Sequence, residues 1–158
     1  MLSFKKLNGT SSVFRNDGVE LKFFRGFDFY KVVGHSMEPF LYEGAFILCS
    51  KNLDNLKRSN VVIFNNGSDR TYEIKRIIGL PYEKIEIVDG LLLINECKSR
   101  YDSSFKFPLN FSNETKQWKL AEDQYFVIGD NTLHSTDSRA YGPITKSQIS
   151  SKFICKLW

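Results

Sequence analysis

Glu83-Lys84-Ile85-Glu86-Ile87-Val88-Asp89-Gly90-Leu91-Leu92-Leu93-Ile94 reads as two strands around a tight turn. Polar and apolar residues alternate through the first half, the second half is apolar, and Asp-Gly between strands is a strong hairpin signal. The same character extends outward in both directions. Upstream, Thr71 to Gly79, Asn60 to Asn65, Phe46 to Lys51 and Phe29 to Val33 are short runs rich in β-branched and aromatic residues. Downstream, Tyr125 to Ile128 and Ile149 to Trp158 are two more. No long apolar period of 3.6 residues occurs, so the chain is expected to be mainly β, an antiparallel fold with few short helices. Residues 1–20 are polar, with turn signals at Asn8-Gly9 and Asn16-Asp17-Gly18, and read as an extension. Residues 21–158 are expected to form one domain, with 95–123 an insertion or long loop.

Composition narrows the classes. The 158 residues are 42% hydrophobic and 25% charged, which suits one globular domain with a real core. A net charge of +4 with scattered Lys and Arg argues against a nucleic-acid stripe, and no nucleic-acid partner is expected. Cys49, Cys97 and Cys155 are an odd set without a metal-type spacing, so neither a disulfide framework nor a metal is expected, and no cofactor is implied. Cys49 and Cys155 read as buried thiols. The best apolar runs, Val61 to Phe64 and Leu91 to Ile94, are strand length and far short of a bilayer span. Met1-Leu2-Ser3-Phe4-Lys5-Lys6 has no apolar stretch behind its basic pair, so it is not a secretory leader. The expected address is the cytoplasm or the membrane periphery. Fourteen phenylalanines, among them Phe23, Phe24, Phe27 and Phe29, keep peripheral membrane contact open.

Three segments carry chemistry. The first is Gly34-His35-Ser36-Met37-Glu38-Pro39, a serine on a turn. A hydroxyl is a weak nucleophile until a base takes its proton. His35 adjoins Ser36, and chain neighbours rarely face each other. Residue type alone leaves open a triad through His134 and Asp137. Lysine is the better candidate on one condition. A free lysine at pH 7 is neutral only about once in 2,500, and bringing its pKa to about 7 takes roughly 4 to 5 kcal/mol of preferential burial. The second segment, Tyr72-Glu73-Ile74-Lys75-Arg76-Ile77-Ile78-Gly79-Leu80-Pro81, offers such apolar surroundings. Alternation puts Glu73, Lys75 and Ile77 on one face. Arginine cannot lose its proton, so of the two cations only Lys75 can be a base. The third segment is Gly129-Asp130-Asn131 followed by Ser135-Thr136-Asp137-Ser138-Arg139.

In order and character these segments resemble the boxes of the serine–lysine peptidases typified by type I signal peptidases, over roughly residues 30–150. The resemblance implies a signal-peptidase-like fold. It makes Ser36 the nucleophile and Lys75 the general base. It has Ser135 orient the lysine amine, and Asp137 and Arg139 form a supporting ion pair. The Ser36 N–H, on a turn opened by Gly34, would donate to the oxyanion; Met37 would lie beneath that turn and Pro39 would stiffen it. The chain departs from the family pattern at Gly34, which adds no hydroxyl to the oxyanion hole, at Gly44-Ala45, and at Pro81-Tyr82-Glu83. The implied partner is a precursor protein presenting an extended leader segment, added as a strand near Ser36. Lacking an apolar anchor, the chain is expected to be a soluble maturation protease, similar to those that process nickel-type superoxide dismutase. The alternatives are a membrane-associated signal peptidase, a LexA-like self-cleaving regulator, and an inactive peptide-binding module.

Overall fold

Two antiparallel sheets make up the computed structural model, which describes residues 26–67, 72–98 and 115–158. The strands are β1 (Phe27–Lys31), β2 (Phe46–Ser50), β3 (Val61–Asn65), β4 (Tyr72–Gly79), β5 (Lys84–Val88), β6 (Leu91–Ile94), β7 (Cys97–Lys98), β8 (Lys116–Lys119), β9 (Gln124–Ile128), β10 (Ile144–Thr145) and β11 (Ile149–Lys156). One four-residue helix, α1 (Ser138–Tyr141), and a 3-10 turn at Lys146–Gln148 are the described helical elements. The larger sheet runs β1-β2-β11-β3-β4-β9-β10 and the smaller β7-β6-β5-β8. Mainly antiparallel β structure with little helix is therefore what the chain adopts.

β3 sits inside the large sheet, between β11 and β4, and both its faces are covered. That is why Val61-Val62-Ile63-Phe64 is apolar without alternation. Val61 and Ile63 join a core with Tyr30, Met37, Leu41, Ile47 and Ile74, while Val62 and Phe64 join another with Ile77, Val127 and Ile144. The β5–β6 hairpin turns through Asp89 (φ 50°) and Gly90 (φ 76°), the doubly left-handed pair that a two-residue turn of this hand requires. Its inner residues Ile85, Ile87 and Leu92 are buried against Leu120, Phe126 and Ile128.

The described ends of the stretch 95–123 carry two strands. β7 and β8 lie within it and flank the β5–β6 hairpin, and Trp118 of β8 stacks on Phe126 with ring centroids 4.7 Å apart. Its middle, 99–114, lies outside the described residues, as do the extension 1–20, Phe23 and Phe24. Phe27 is half-buried and Phe29 exposed on β1.

Candidate active site

The turn after β1 begins at Gly34, whose φ of 85° suits a residue without a side chain. Met37 anchors it from below, 1% exposed among Tyr30, Val32 and Ile47, a burial worth about 1.5–3 kcal/mol. Leu41 N–H donates to the Met37 carbonyl at 2.9 Å, closing the turn over an exposed Pro39, which follows a cis peptide bond. Ser36 is thereby held with its hydroxyl inward, 2% exposed. Its backbone N–H finds no acceptor among the described residues.

β4 brings the lysine. Lys75 pairs across from Val62, and Glu73 across from Phe64. The three-residue face expected from alternation, Glu73, Lys75 and Ile77, is therefore present, set against buried β3 residues. Lys75 is fully buried, and its Nζ donates to Ser36 Oγ at 3.0 Å across 39 residues of chain. Burial pushes the amine below the usual lysine range; the Glu73 and Asp137 carboxylates pull it back up, and Arg139 pushes it down.

The third segment braces both. Asn131 N–H donates to the Ser36 carbonyl at 2.9 Å, and its side-chain amide donates to the His35 carbonyl at 3.1 Å. Asp137 caps α1 and accepts from Gly129 N–H at 3.0 Å, Ser135 Oγ at 2.7 Å and Arg139 Nε at 2.7 Å. Arg139 also donates to the Thr132 and Ser135 carbonyls. Asp137 and Arg139 are nearly fully buried as a hydrogen-bonded pair, the condition under which buried charges are tolerated. Gly129 lies where a Cβ would come 2.3 Å from Ser135 Oγ and 2.6 Å from the Ser36 carbonyl, so the segments meet there backbone to backbone. Arg76 adds a fourth tie, donating to Asp130 at 2.7 Å while lying over the Phe40 ring at 4.6 Å.

Of the eight residues picked from sequence, the structure brings Ser36 and Lys75 to 3.0 Å, pairs Asp137 with Arg139 beside them, and sets Gly34, Met37 and Pro39 in the serine turn. Ser135 differs in detail. Its hydroxyl donates to Asp137 rather than contacting the Lys75 amine, because that carboxylate sits two residues away and is already turned toward it. The triad through His134 does not form. His134 is exposed and bonded to Asn131, while Asp137 is committed to Arg139. His35 points outward to Glu38 at 2.8 Å. Sequence reasoning missed the clamp by Asn131, whose bonds run through backbone groups. It also gave no role to Glu73, although alternation had placed it beside Lys75.

The class is that of a serine endopeptidase, and its relatives carry that assignment. Comparison with known proteins gives the family. The model of "Signal peptidase, peptidase S26" matches residues 21–158. Signal peptidase I P of Bacillus subtilis subsp. natto is 34% identical over 134 residues, covering 78% of this chain and 72% of that protein. Signal peptidase IB of Staphylococcus aureus is 30% identical over 152 residues, covering 82% and 76%. The crystal structure of a signal peptidase I from Enterococcus faecalis superposes with a TM-score of 0.50 at 25% identity, over 63% of this chain and 97% of that one. The chain belongs to the S26 signal peptidase family. Among the described residues no helix is long and apolar enough to cross a membrane.

Proposed function

We propose that Ser36 and Lys75 form a nucleophile–base dyad that cuts a leader or propeptide from a precursor protein. The observation that carries it is the 3.0 Å contact between a buried amine and a buried hydroxyl, with no histidine in reach of either. Once neutral, Lys75 Nζ takes the Ser36 Oγ proton as Oγ bonds the scissile carbonyl carbon. The oxyanion that results accepts from the Ser36 N–H. The C–N bond then breaks, and the leaving amine takes the proton back from Lys75. Water, deprotonated by the same amine, hydrolyses the ester and restores the serine. Asp137, Arg139, Ser135 and Asn131 hold the geometry, and none of them takes part in proton transfer.

The similar proteins are signal peptidases I, which favours the leader of an exported precursor as substrate. The propeptide of a nickel-type superoxide dismutase is the second reading, from motif resemblance; it uses the same site and differs only in the chain presented. Side-by-side cleavage of the two precursors separates them. The dyad itself is tested with Ser36→Ala and Lys75→Ala on the accepted precursor, both expected to abolish cutting. An acylating serine-peptidase inhibitor should label Ser36 in the wild type and fail in Lys75→Ala. Labelling and cleavage that survive Lys75→Ala would rule the dyad out.

A further inference from the structure

The lysine that must be neutral to act has a carboxylate for a neighbour. Glu73 Oε2 lies 3.9 Å from Lys75 Nζ, with the Glu73 side chain about four-fifths buried. The carboxylate is not loose. Tyr141 Oη donates to Oε2 at 3.3 Å, and Asn66 Nδ2 donates to Oε1 at 3.2 Å. Three places in the chain thus aim one negative charge at the amine: β4 supplies it, Asn66 just past β3 holds one oxygen, and Tyr141 of α1 holds the other. Tyr141 in turn is held protonated, since burial and the same carboxylate push its hydroxyl well above the usual tyrosine range. It therefore stays a donor to Glu73.

The geometry points to Glu73 as a positioning residue for Lys75: its tethered carboxylate retains a proton on the resting amine and so sets the acid edge of the peptidase's working pH range. The inference rests on the dyad reading above. Two effects compete at this amine. The apolar face of Val62, Phe64 and Ile77 favours the neutral form, and Glu73 favours the charged form. The other groups around the site are accounted for. Asp137 acts with Glu73, Arg139 acts against it, and these two largely offset each other as a bonded pair. From the serine turn, His35 and Glu38 face outward and bond each other. Glu73 is the carboxylate that no cation other than Lys75 balances among its described contacts. Its benefit is basicity. A base that binds its proton more firmly takes it from the serine hydroxyl more readily, at the expense of needing a higher pH to be free.

A unit charge at 3.9 Å shifts a protonation equilibrium about sixfold even through a water-like dielectric. The test follows kcat/KM against pH with a fluorogenic peptide carrying alanine before the cut, using the full chain. In Glu73→Gln the acid limb should move toward lower pH, raising kcat/KM at least about sixfold at a fixed pH on that limb, with no gain on the plateau. Glu73→Asp keeps the charge and should leave the limb within about twofold of wild type. The position of a limb does not depend on how much enzyme is folded, so a poorly folding variant still reports. Repeating Glu73→Gln in a His35→Gln background removes the exposed imidazole as a source of the shift. A limb unmoved in Glu73→Gln, while Ser36→Ala and Lys75→Ala are dead, overturns the role of Glu73 alone. Activity surviving in Lys75→Ala overturns the dyad and this inference with it.

Discussion

Gly129→Ala adds one methyl group at the point where the third segment meets the serine turn. Gly129 has no left-handed φ, so alanine meets no backbone penalty there. Only space opposes it. The new Cβ would stand 2.3 Å from Ser135 Oγ, 2.6 Å from Ser135 Cβ and 2.6 Å from the Ser36 carbonyl oxygen. Ordinary contact begins at 3.4 Å, so the Ser36 backbone must retreat by about 0.8 Å and the Ser135 side chain by about 1.1 Å. Ser135 can rotate, but the Ser36 carbonyl is also held by Asn131 N–H at 2.9 Å and cannot yield without straining that bond. Overpacking of this kind costs about 1–3 kcal/mol of stability. In a chain of this size that lowers Tm by roughly 2–4 °C per kcal/mol. The catalytic cost is larger in proportion. A displacement near 1 Å carries the 3.0 Å contact between Lys75 and Ser36 beyond hydrogen-bonding reach, and such misplacement costs about 10²-fold in rate. The comparison is with Gly90→Ala on the β5–β6 hairpin. There the added Cβ meets nothing within 4 Å, but φ is +76°, so the cost is about 1–2 kcal/mol of backbone strain. Melting curves and precursor cleavage are measured for both. Both should melt lower, and only Gly129→Ala should lose about a hundredfold in kcat/KM. A Gly129→Ala enzyme cutting within threefold of wild type would show that the serine's position does not depend on this contact.

Burial pushes the Cys49 thiol up to about 12, so in the native protein a thiol reagent at pH 8 should modify exposed Cys97 quickly and Cys49 only on unfolding; equal rates would contradict the burial. The hydrogen bond that the His35 ring donates to Glu38 raises His35 above its ordinary 6.5, so NMR titration should place it higher than a free imidazole and Glu38→Gln should bring it down. Because the folded-state value is the higher one, the stabilisation from this contact is full below the unfolded pKa and is lost as pH rises through the folded one. A His35 titration unchanged by Glu38→Gln would refute the assignment.

Much of the fold is legible because its strands are bounded by turn chemistry. Asp89-Gly90 could be read directly, and Val61 to Phe64 could be read as a strand, although its burial on both faces shows only in the structure. The missed strands share a physical reason. β8 is an edge strand of the small sheet, and Lys116-Gln117-Trp118-Lys119 turns only Trp118 toward a core cluster, so its pattern is nearly that of a loop. β7 and β10 have two residues each and leave no period to detect. The register shifts of β11 and β4 arise from packing against neighbours, which a single sequence does not display. In the site, Lys75 was legible because its flanks resemble the family's lysine box and because, of the two cations there, only a lysine can give up a proton. Asn131 was invisible for the opposite reason: its main-chain bond to Ser36 could be made by any residue but proline.

The placement of charge around Lys75 follows one logic. In the proposed dyad, an amine that must shed its proton to act should not face two uncompensated carboxylates, whose attraction would cancel the burial. Asp137 is neutralised in place by Arg139, which bonds both its oxygens at 2.7 and 2.8 Å, and the pair is too deeply buried for water to loosen it. Asp137 thus braces Gly129 and Ser135 while Arg139 opposes its pull on the Lys75 amine. Glu73 is left uncompensated, at the longer distance of 3.9 Å and at the edge of the site rather than beneath it. One carboxylate therefore serves geometry and the other serves proton affinity. Losing Arg139 would convert the first into a second copy of the other, with the amine then held charged by both. In the proposed dyad the guanidinium therefore favours the neutral amine, which is why the Asp137–Arg139 pair counts as part of the site.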